Sequence, residues 1–441
     1  NNKVVSIPDF PQPNWSPSQV AAWWNSLPED RKQLLMDHRP DDIRHLDGLP
    51  AYARDRANRL ALDGYFDEKG KYHKGALADA EQEVNDANAK YQAALKKSAN
   101  KELNPALAKN DYIDPEVAEA KRELDRAKTA YEDLKVIKSQ TDNVSRLTRG
   151  HAPAYLLDFN YDEKYQRTTA IVSSGNPDTA THVSTVVPGI GTNVRGDLGY
   201  YMDFNDRLRK QTAHAGINPN NVATISYLGY VAPKNDAAHL YQAADIGYAD
   251  RAAPKLARFE EGLRASAEAN NHNFVNTLIG HSYGSTTSGK SMTLVAPGTV
   301  DRFIMCGSPG SGAQSIDEYN VPKEHVYESS IPEGDAVQGL GPDAFYGRNP
   351  RKLEGITHLS GDATDAEGYW HSYESLLKHP LDPGMANADY LAHSFKNHMA
   401  YFDEGTRTSQ DFANIVAGEE QTTDKEWAAL QKERTHKSSG H

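Results

Sequence analysis

Apolar positions along the chain fall into three successive patterns. In the first, "WSPSQVAAWWNSL" sets Val20, Trp23, Trp24 and Leu27 at helical spacing. Ser16 ahead of them can cap, and Pro17 suits the first helical position. "SLPEDRKQLLMDHRP" repeats the signal, with Ser26 and Pro28 before Leu34, Leu35 and Met36, and "GLPAYARDRANRLAL" gives a third helix. Residues 1–66 are therefore expected to form a small helical module with Trp23 and Trp24 in its core.

The second pattern, over residues 67–148, is a pair of long polar helices. Leu77, Val84 and Tyr91 recur every seven residues with Ala80, Ala87 and Ala94 between them; Val117, Leu124 and Tyr131 do the same with Ala120, Ala127 and Leu134. These are a and d positions of a heptad. "NKELNPALAKNDYIDP" separates the runs with two prolines, which predicts an antiparallel helical hairpin with an alanine-lined seam. It is a packing arm or spacer, or an arm that binds a protein partner, shields substrate or self-associates.

In the third region, residues 149–441, the period changes. Short β-rich runs, "AYLLDFN", "RTTAIVSS", "HVSTVVPG", "VATISYLGY", "FVNTLIGHS", "DRFIMCGS" and "HVYESSI", alternate in their later part with helical stretches such as "LGYYMDFNDRLRKQTAHAG" and "APKLARFEEGLRASAEAN". The first two runs predict a hairpin at a sheet edge. The rest predict βαβ units and a mostly parallel sheet flanked by helices, an α/β class fold preceded by an all-α region. Residues 343–392 are long for a plain connection and rich in Tyr and Trp, which suits pocket walls or a lid.

Composition sharpens this picture in a few places. Only 38% of residues are hydrophobic, which the long solvated helices explain, and the net charge of −13 argues against nucleic acid as a partner. No apolar stretch reaches the roughly 20 residues of a membrane helix, and "NNKVVSIPDF" shows no signal peptide, although the chain does not begin with Met. The compartment stays open between cytoplasmic and exported. One cysteine, Cys306, rules out an intramolecular disulfide and reads as a buried structural thiol. Neither H-E-x-x-H nor paired cysteine ligands occur, so no metal and no cofactor is expected.

The candidate chemistry centres on "TLIGHSYGSTTSG", residues 277–289. Ser282 ends a predicted strand and opens a run of small residues that can start a helix, the context of a nucleophile elbow. Gly280 and Gly284 flank it because such a turn brings backbones together. "STVVPGIGTNV" offers an oxyanion loop after an earlier strand, with donors expected from Tyr283 N–H and from Ile190 or Gly191. "HVYESSIPEGDAVQG" supplies a carboxylate past a late strand: Asp335, with Glu333 and Glu328 as competitors. The base is His398, which precedes "MAYF", the expected start of the final helix; His393 and His371 are the alternatives. The order serine, aspartate, histidine is that of α/β-hydrolases. His281, Tyr346, Tyr369 and Trp370 are candidate substrate contacts.

With these segments in view, residues 151–415 resemble the actinobacterial α/β-hydrolases once catalogued as a domain of unknown function, DUF1023. The resemblance rests on "GNPDTATHVSTVVPGIGTNV", "TLIGHSYGSTTSG", "PEGDAVQGLG" and "NHMAYFDEGTRTSQDFANI", and residues 20–59 resemble the helical leader of such proteins. It implies the α/β-hydrolase fold and places Ser282, Asp335 and His398 in a catalytic triad. One departure is that the family usually has Gly-His-Ser where this chain has Asn397, His398 and Met399. The expected activity is hydrolysis of a carboxylic ester or lipid-like small molecule through an acyl-enzyme. An acyltransferase, and an exported effector or partner-binding protein addressed by its helical half, are the alternatives.

Overall fold

The computed structural model describes residues 10–100, 113–189, 191–233, 246–330, 346–361, 400–419 and 421–438. The leading module comprises α1 (Pro17–Ser26), α2 (Glu29–His38), α3 (Pro40–Ile43) and α4 (Ala51–Asp63). Ser16 and Gln19 form a reciprocal capping box at α1, and Val20, Trp23 and Trp24 are buried as the spacing predicts. Ser26 does not open the second helix: its hydroxyl donates to the carbonyl of Trp23 at 2.7 Å, closing the first. A two-stranded hairpin follows, β1 (Tyr65–Phe66) and β2 (Tyr72–His73), which the apolar pattern does not announce. Then come α5 (Gly75–Ala99), α6 (Pro115–Gln140) and the short α7 (Asn143–Thr148). Ala80, Ala87 and Ala94 of α5 face Leu124, Ala127 and Leu134 of α6, so the heptad seam closes on small residues.

The sheet has eight strands: β3 (Ala154–Asp162), β4 (Arg167–Ser174), β5 (His182–Val187), β6 (Val222–Leu228), β7 (Val275–His281), β8 (Arg302–Cys306), β9 (Val326–Ser329) and β10 (Thr357–His358). Their spatial order is β10-β9-β8-β7-β5-β6-β4-β3. The six strands from β5 onward run parallel, while β4 lies antiparallel to both β3 and β6. β10 was not expected. It falls within the 343–392 stretch expected to form pocket walls or a lid: Thr357–His358 pair with β9 at the sheet edge, and residues 362–392 lie outside the described residues.

Helices cover both faces. One carries α8 (Val194–Gln211) and α11 (Arg407–Val416), over Val186, Ile279, Ile304 and Tyr327; the other carries α9 (Gly247–Ala269) and α10 (Tyr283–Met292), over Val183, Ile225, Leu278 and Phe303. The segment "MAYF" is not the start of the last core helix. Ala400–Phe402 form a single 3₁₀ turn, and the helix begins after Thr406, whose hydroxyl accepts from Ser409 N–H. A further helix, α12 (Asp424–Ser438), follows. No helix among the described residues is long and apolar enough to cross a membrane.

The helical module and the sheet meet along β3, the outermost strand. Its outer backbone groups would otherwise stand unpaired, and side chains satisfy them. Arg44 donates to Phe159 O (2.6 Å), Arg54 to Leu157 O (2.8 Å), Asn58 to Leu156 O (3.2 Å) and Arg59 to Ala154 O (3.0 Å), while Asp55 accepts from Leu156 N–H (2.7 Å). In return Asp178, on the loop after β4, accepts from the N–H groups of Ala51 and Tyr52 and so caps α4, whose own Pro50 has no side chain able to do it.

Glu260 of α9 is fully buried beneath the sheet, with Asn276 Nδ2 donating to Oε2 at 2.9 Å. Burial pushes its carboxyl up to about 7 against the opposing pull of Asn276, Thr185 and Arg264. The folded state thus holds the protonated form. This stabilisation is complete below the ordinary pKa of 4.5 and is lost as pH rises through about 7, a difference of about 3 kcal/mol. Glu260→Gln, neutral at every pH, is expected to melt roughly 3 °C above wild type near pH 8 and to converge on it toward pH 5. Thermal unfolding across that range checks this; parallel curves for the two proteins would refute it.

Candidate active site

The strand order reverses at β5. The chain passes from β5 to β6 on one side, then crosses back to β7 on the other. Loops leaving the carboxyl ends of β5 and β7 therefore diverge and leave a crevice, the usual place for a ligand in an open α/β sheet. Ser282 follows β7 at this point. It has φ 58° and ψ −134°, one of three described non-glycine residues with positive φ. A serine pays for that conformation, so the surroundings must impose it. They do: Ser282 N–H donates to Cys306 O at 2.9 Å, and Ser285 returns both its N–H (2.9 Å) and its hydroxyl (2.6 Å) to Ser282 O.

The glycines are required by space. A Cβ on Gly280 would lie 2.6 Å from Cα of Ser285, and one on Gly284 would lie 2.2 Å from Val187 O and 2.5 Å from Pro188 O. Gly189, on the loop after β5, is as tight: its Cβ would stand 2.6 Å from both Ser282 Cβ and Tyr283 N. The loop backbone thus lies against the turn itself.

Helix α10 starts at Tyr283 and every residue in it except Lys290 is buried. A helix of small hydroxyl residues can be buried because most of its hydroxyls find a carbonyl: Thr286 donates to Gly310 O (2.6 Å) and Ser291 to Ala253 O (2.8 Å). Small side chains let this helix sit close under the sheet, with its positive N-terminal end directed at Ser282. Ser282 is 1% exposed, and its Oγ has no hydrogen-bond partner among the described residues.

Other expected site residues divide. Tyr283 is fully buried, and its hydroxyl accepts from Ala249 N–H at 3.1 Å, so the ring anchors α9. The N–H of Gly191 donates to Pro233 O at 2.7 Å, so the oxyanion role expected of it would require that bond to break. Tyr346 is 1% exposed, packed in the core edge-on to the Tyr283 ring (centroids 6.2 Å apart). His281 is buried too, with Nδ1 3.3 Å from the Tyr201 hydroxyl and its ring 4.6 Å from that of Phe402. Tyr201 escapes a sequence reading because it looks like any other core position of α8. Burial holds its phenol well above the usual range, so at neutral pH it stays protonated. Cys306 is buried beside the turn, its Sγ 3.5 Å from Gly280 O.

Glu328, a competitor for the acid role, lies within β9 facing the α10 side of the sheet. Its Oε1 meets His358 Nδ1 at 2.5 Å and its Oε2 accepts from Ser330 at 2.6 Å, so it is engaged locally. Asp335, Glu333, His371, His393, His398, Ile190, Tyr369 and Trp370 lie outside the described residues.

Comparison with known proteins gives one family match and several distant likenesses. Residues 163–343 match a family model described as alpha/beta hydrolase. Two Mycobacterium tuberculosis proteins, Rv2079 and MT2140, are each 25% identical over 427 residues; the match covers 93% of this chain but only 57% of theirs. Among solved structures, the LpqC poly(3-hydroxybutyrate) depolymerase of Bordetella parapertussis aligns over 66% of this chain and 97% of its own, at 16% identity and a TM-score of 0.29. A cutinase-like protein of Cryptococcus sp. aligns over 55% of this chain and 98% of its own, at 14% identity and a TM-score of 0.25. By its strand order and the turn at Ser282, and with the family match over residues 163–343, the sheet-bearing part of this chain has the α/β-hydrolase fold.

Proposed function

We propose that the protein is a serine hydrolase that cleaves carboxylic esters, with Ser282 as nucleophile, His398 as base and Asp335 as its orienting acid. The observation that carries this is the strained, buried serine at the strand-to-helix turn of β7. A structural loop has no need to hold a serine at φ 58° with both neighbouring glycines pressed against backbone. Such a constraint aims Oγ in one direction.

Chain position supports the other two members. Asp335 follows β9, two strands over from β7, by six residues. His398 precedes the Ala400–Phe402 turn, whose Phe402 ring packs against His281, the neighbour of Ser282. In the reaction, His398 takes the Ser282 proton as Oγ attacks the carbonyl carbon, and a tetrahedral oxyanion forms. Tyr283 N–H, at the positive end of α10, is the first donor to it; with Gly191 engaged by Pro233, Ile190 is the remaining donor considered from the β5 loop. His398 then protonates the departing alcohol, and water, activated by the same histidine, releases the acid.

The test is hydrolysis of p-nitrophenyl esters of increasing acyl length, with labelling by a fluorophosphonate probe. Turnover of at least one ester and a probe adduct mapped to Ser282 by mass spectrometry are expected. A correctly folded protein whose Ser282 stays unlabelled would overturn the proposal.

A further inference from the structure

Away from the crevice, His151, Asp203 and Asp206 each present one ligand atom, and these atoms all lie within 4.8 Å of one another. Asp203 and Asp206 sit three residues apart on α8, so their carboxylates share a face. His151 comes from the segment joining α7 to β3, where the helical half of the chain leads into the sheet.

The two oxygens of Asp206 differ. Oδ1 accepts from Arg146 Nη2 at 2.9 Å. Oδ2 has no hydrogen-bond partner among the described residues, and neither has Nδ1 of His151, although the two atoms stand 3.5 Å apart. Asp206 is only 3% exposed, so its free oxygen is aimed into the cluster without water to solvate it. Buried polar atoms are rarely left so. The spacing suits a shared ligand: bonds of about 2.1 Å in a tetrahedral shell put neighbouring donor atoms about 3.4 Å apart. An imidazole nitrogen with two carboxylates is a donor set for a divalent transition ion. Arg146 fixes the Asp206 carboxylate so that Oδ2 alone is presented, the orienting task of a group one step behind the ligands.

We propose that His151 Nδ1, Asp203 and Asp206 Oδ2 form a binding site for a divalent transition cation of the zinc type, completed by solvent on the exposed Asp203 side. Sequence motifs miss it because the ligands come from two elements more than 50 residues apart. Its place gives it a structural task. Asn205, between the two aspartates, donates to Ser226 and accepts from Thr224, within β6, whereas Ser282 lies beyond the carboxyl end of β7. The cation would pin the segment at His151 to α8 rather than touch substrate. The positive charges of Arg146 and Arg209 near Asp206 oppose that of a cation and weaken its binding.

The rival for the same space is a proton, giving an imidazolium beside Asp206. Chelator-treated full-length protein, titrated with zinc chloride by calorimetry, separates the two. One equivalent of zinc bound with micromolar Kd is expected, with a melting temperature raised by about 3 °C at about 100 µM zinc. Asp203→Asn, at an exposed position, should weaken binding about tenfold or more and leave metal-free stability unchanged. His151→Gln should weaken it at least as much. No binding by wild type would overturn the site, and so would stoichiometric binding that both variants retain, which would put the zinc on other histidines.

Discussion

Ser282→Ala is expected to lower kcat on an activated ester by roughly 10⁴-fold or more, with KM changed little. Without the hydroxyl there is no acyl-enzyme, and what survives is the weak acceleration that an oxyanion site and binding give to attack by water. The substitution is also structurally mild. Ser282 Oγ makes no hydrogen bond among the described residues, and alanine pays the same penalty as serine at φ 58°. The melting temperature should therefore stay within a few degrees of wild type. Ser282→Gly sharpens the comparison, because glycine takes that conformation without strain: it should be as inactive but about 1 kcal/mol more stable. Steady-state kinetics with circular dichroism checks both. Turnover in the alanine variant within tenfold of wild type would move catalysis away from this serine.

The second large effect is expected at Gly284. Its backbone is ordinary, so space alone decides. A Cβ there would stand 2.2 Å from Val187 O, and that atom is backbone at the end of a central strand, unable to swing aside. Gly284→Ala should cost about 3 kcal/mol or more, on the order of a 3 °C fall in melting temperature or more. It should also cut turnover on an activated ester by more than tenfold, since the displaced neighbour is the loop that holds Gly189 against Tyr283 N. Gly216→Ala is the control. Gly216 has φ +81° but nothing within 4 Å, so only backbone strain of about 1 kcal/mol is expected, with activity intact. Equal losses in the two variants would mean that close approach at the turn is not what glycine provides.

Much of this architecture was legible in the chain because it depends on local periodicity. Val20, Trp23 and Trp24 share a helical face and are buried; Ala87 and Leu124 keep heptad spacing and meet in the seam. The runs ending at Val187, His281 and Cys306 were apolar enough to be read as buried strands, and all three are central. Ser282 stood out because a G-x-S-x-G pattern fell where a strand gave way to a helix. What escaped depends on partners far away in sequence. β10 is two residues long, too short for any period, and exists because β9 offers it an edge. The cap of α4 comes from Asp178, 127 residues beyond Ala51. The Gly191 N–H looked available because nothing nearby claims it, yet Pro233 does. Asp335 and His398 rest on chain order, which fixes sequence position but not distance.

The side chains of α4 and its neighbours that occupy the outer edge of β3 bear on how such a protein can be taken apart. A chain begun at residue 151 would keep every strand of the eight-stranded sheet but expose a bare row of donors and acceptors on β3, where Arg44, Arg54, Asp55, Asn58 and Arg59 now bind. That edge would accept another copy of itself, and the fragment should gather into insoluble oligomers. The two parts are thus not interchangeable cassettes. Recombination that moved the sheet-bearing region to a new fusion partner would have to carry the leading helices with it, or supply another cover for the same strand.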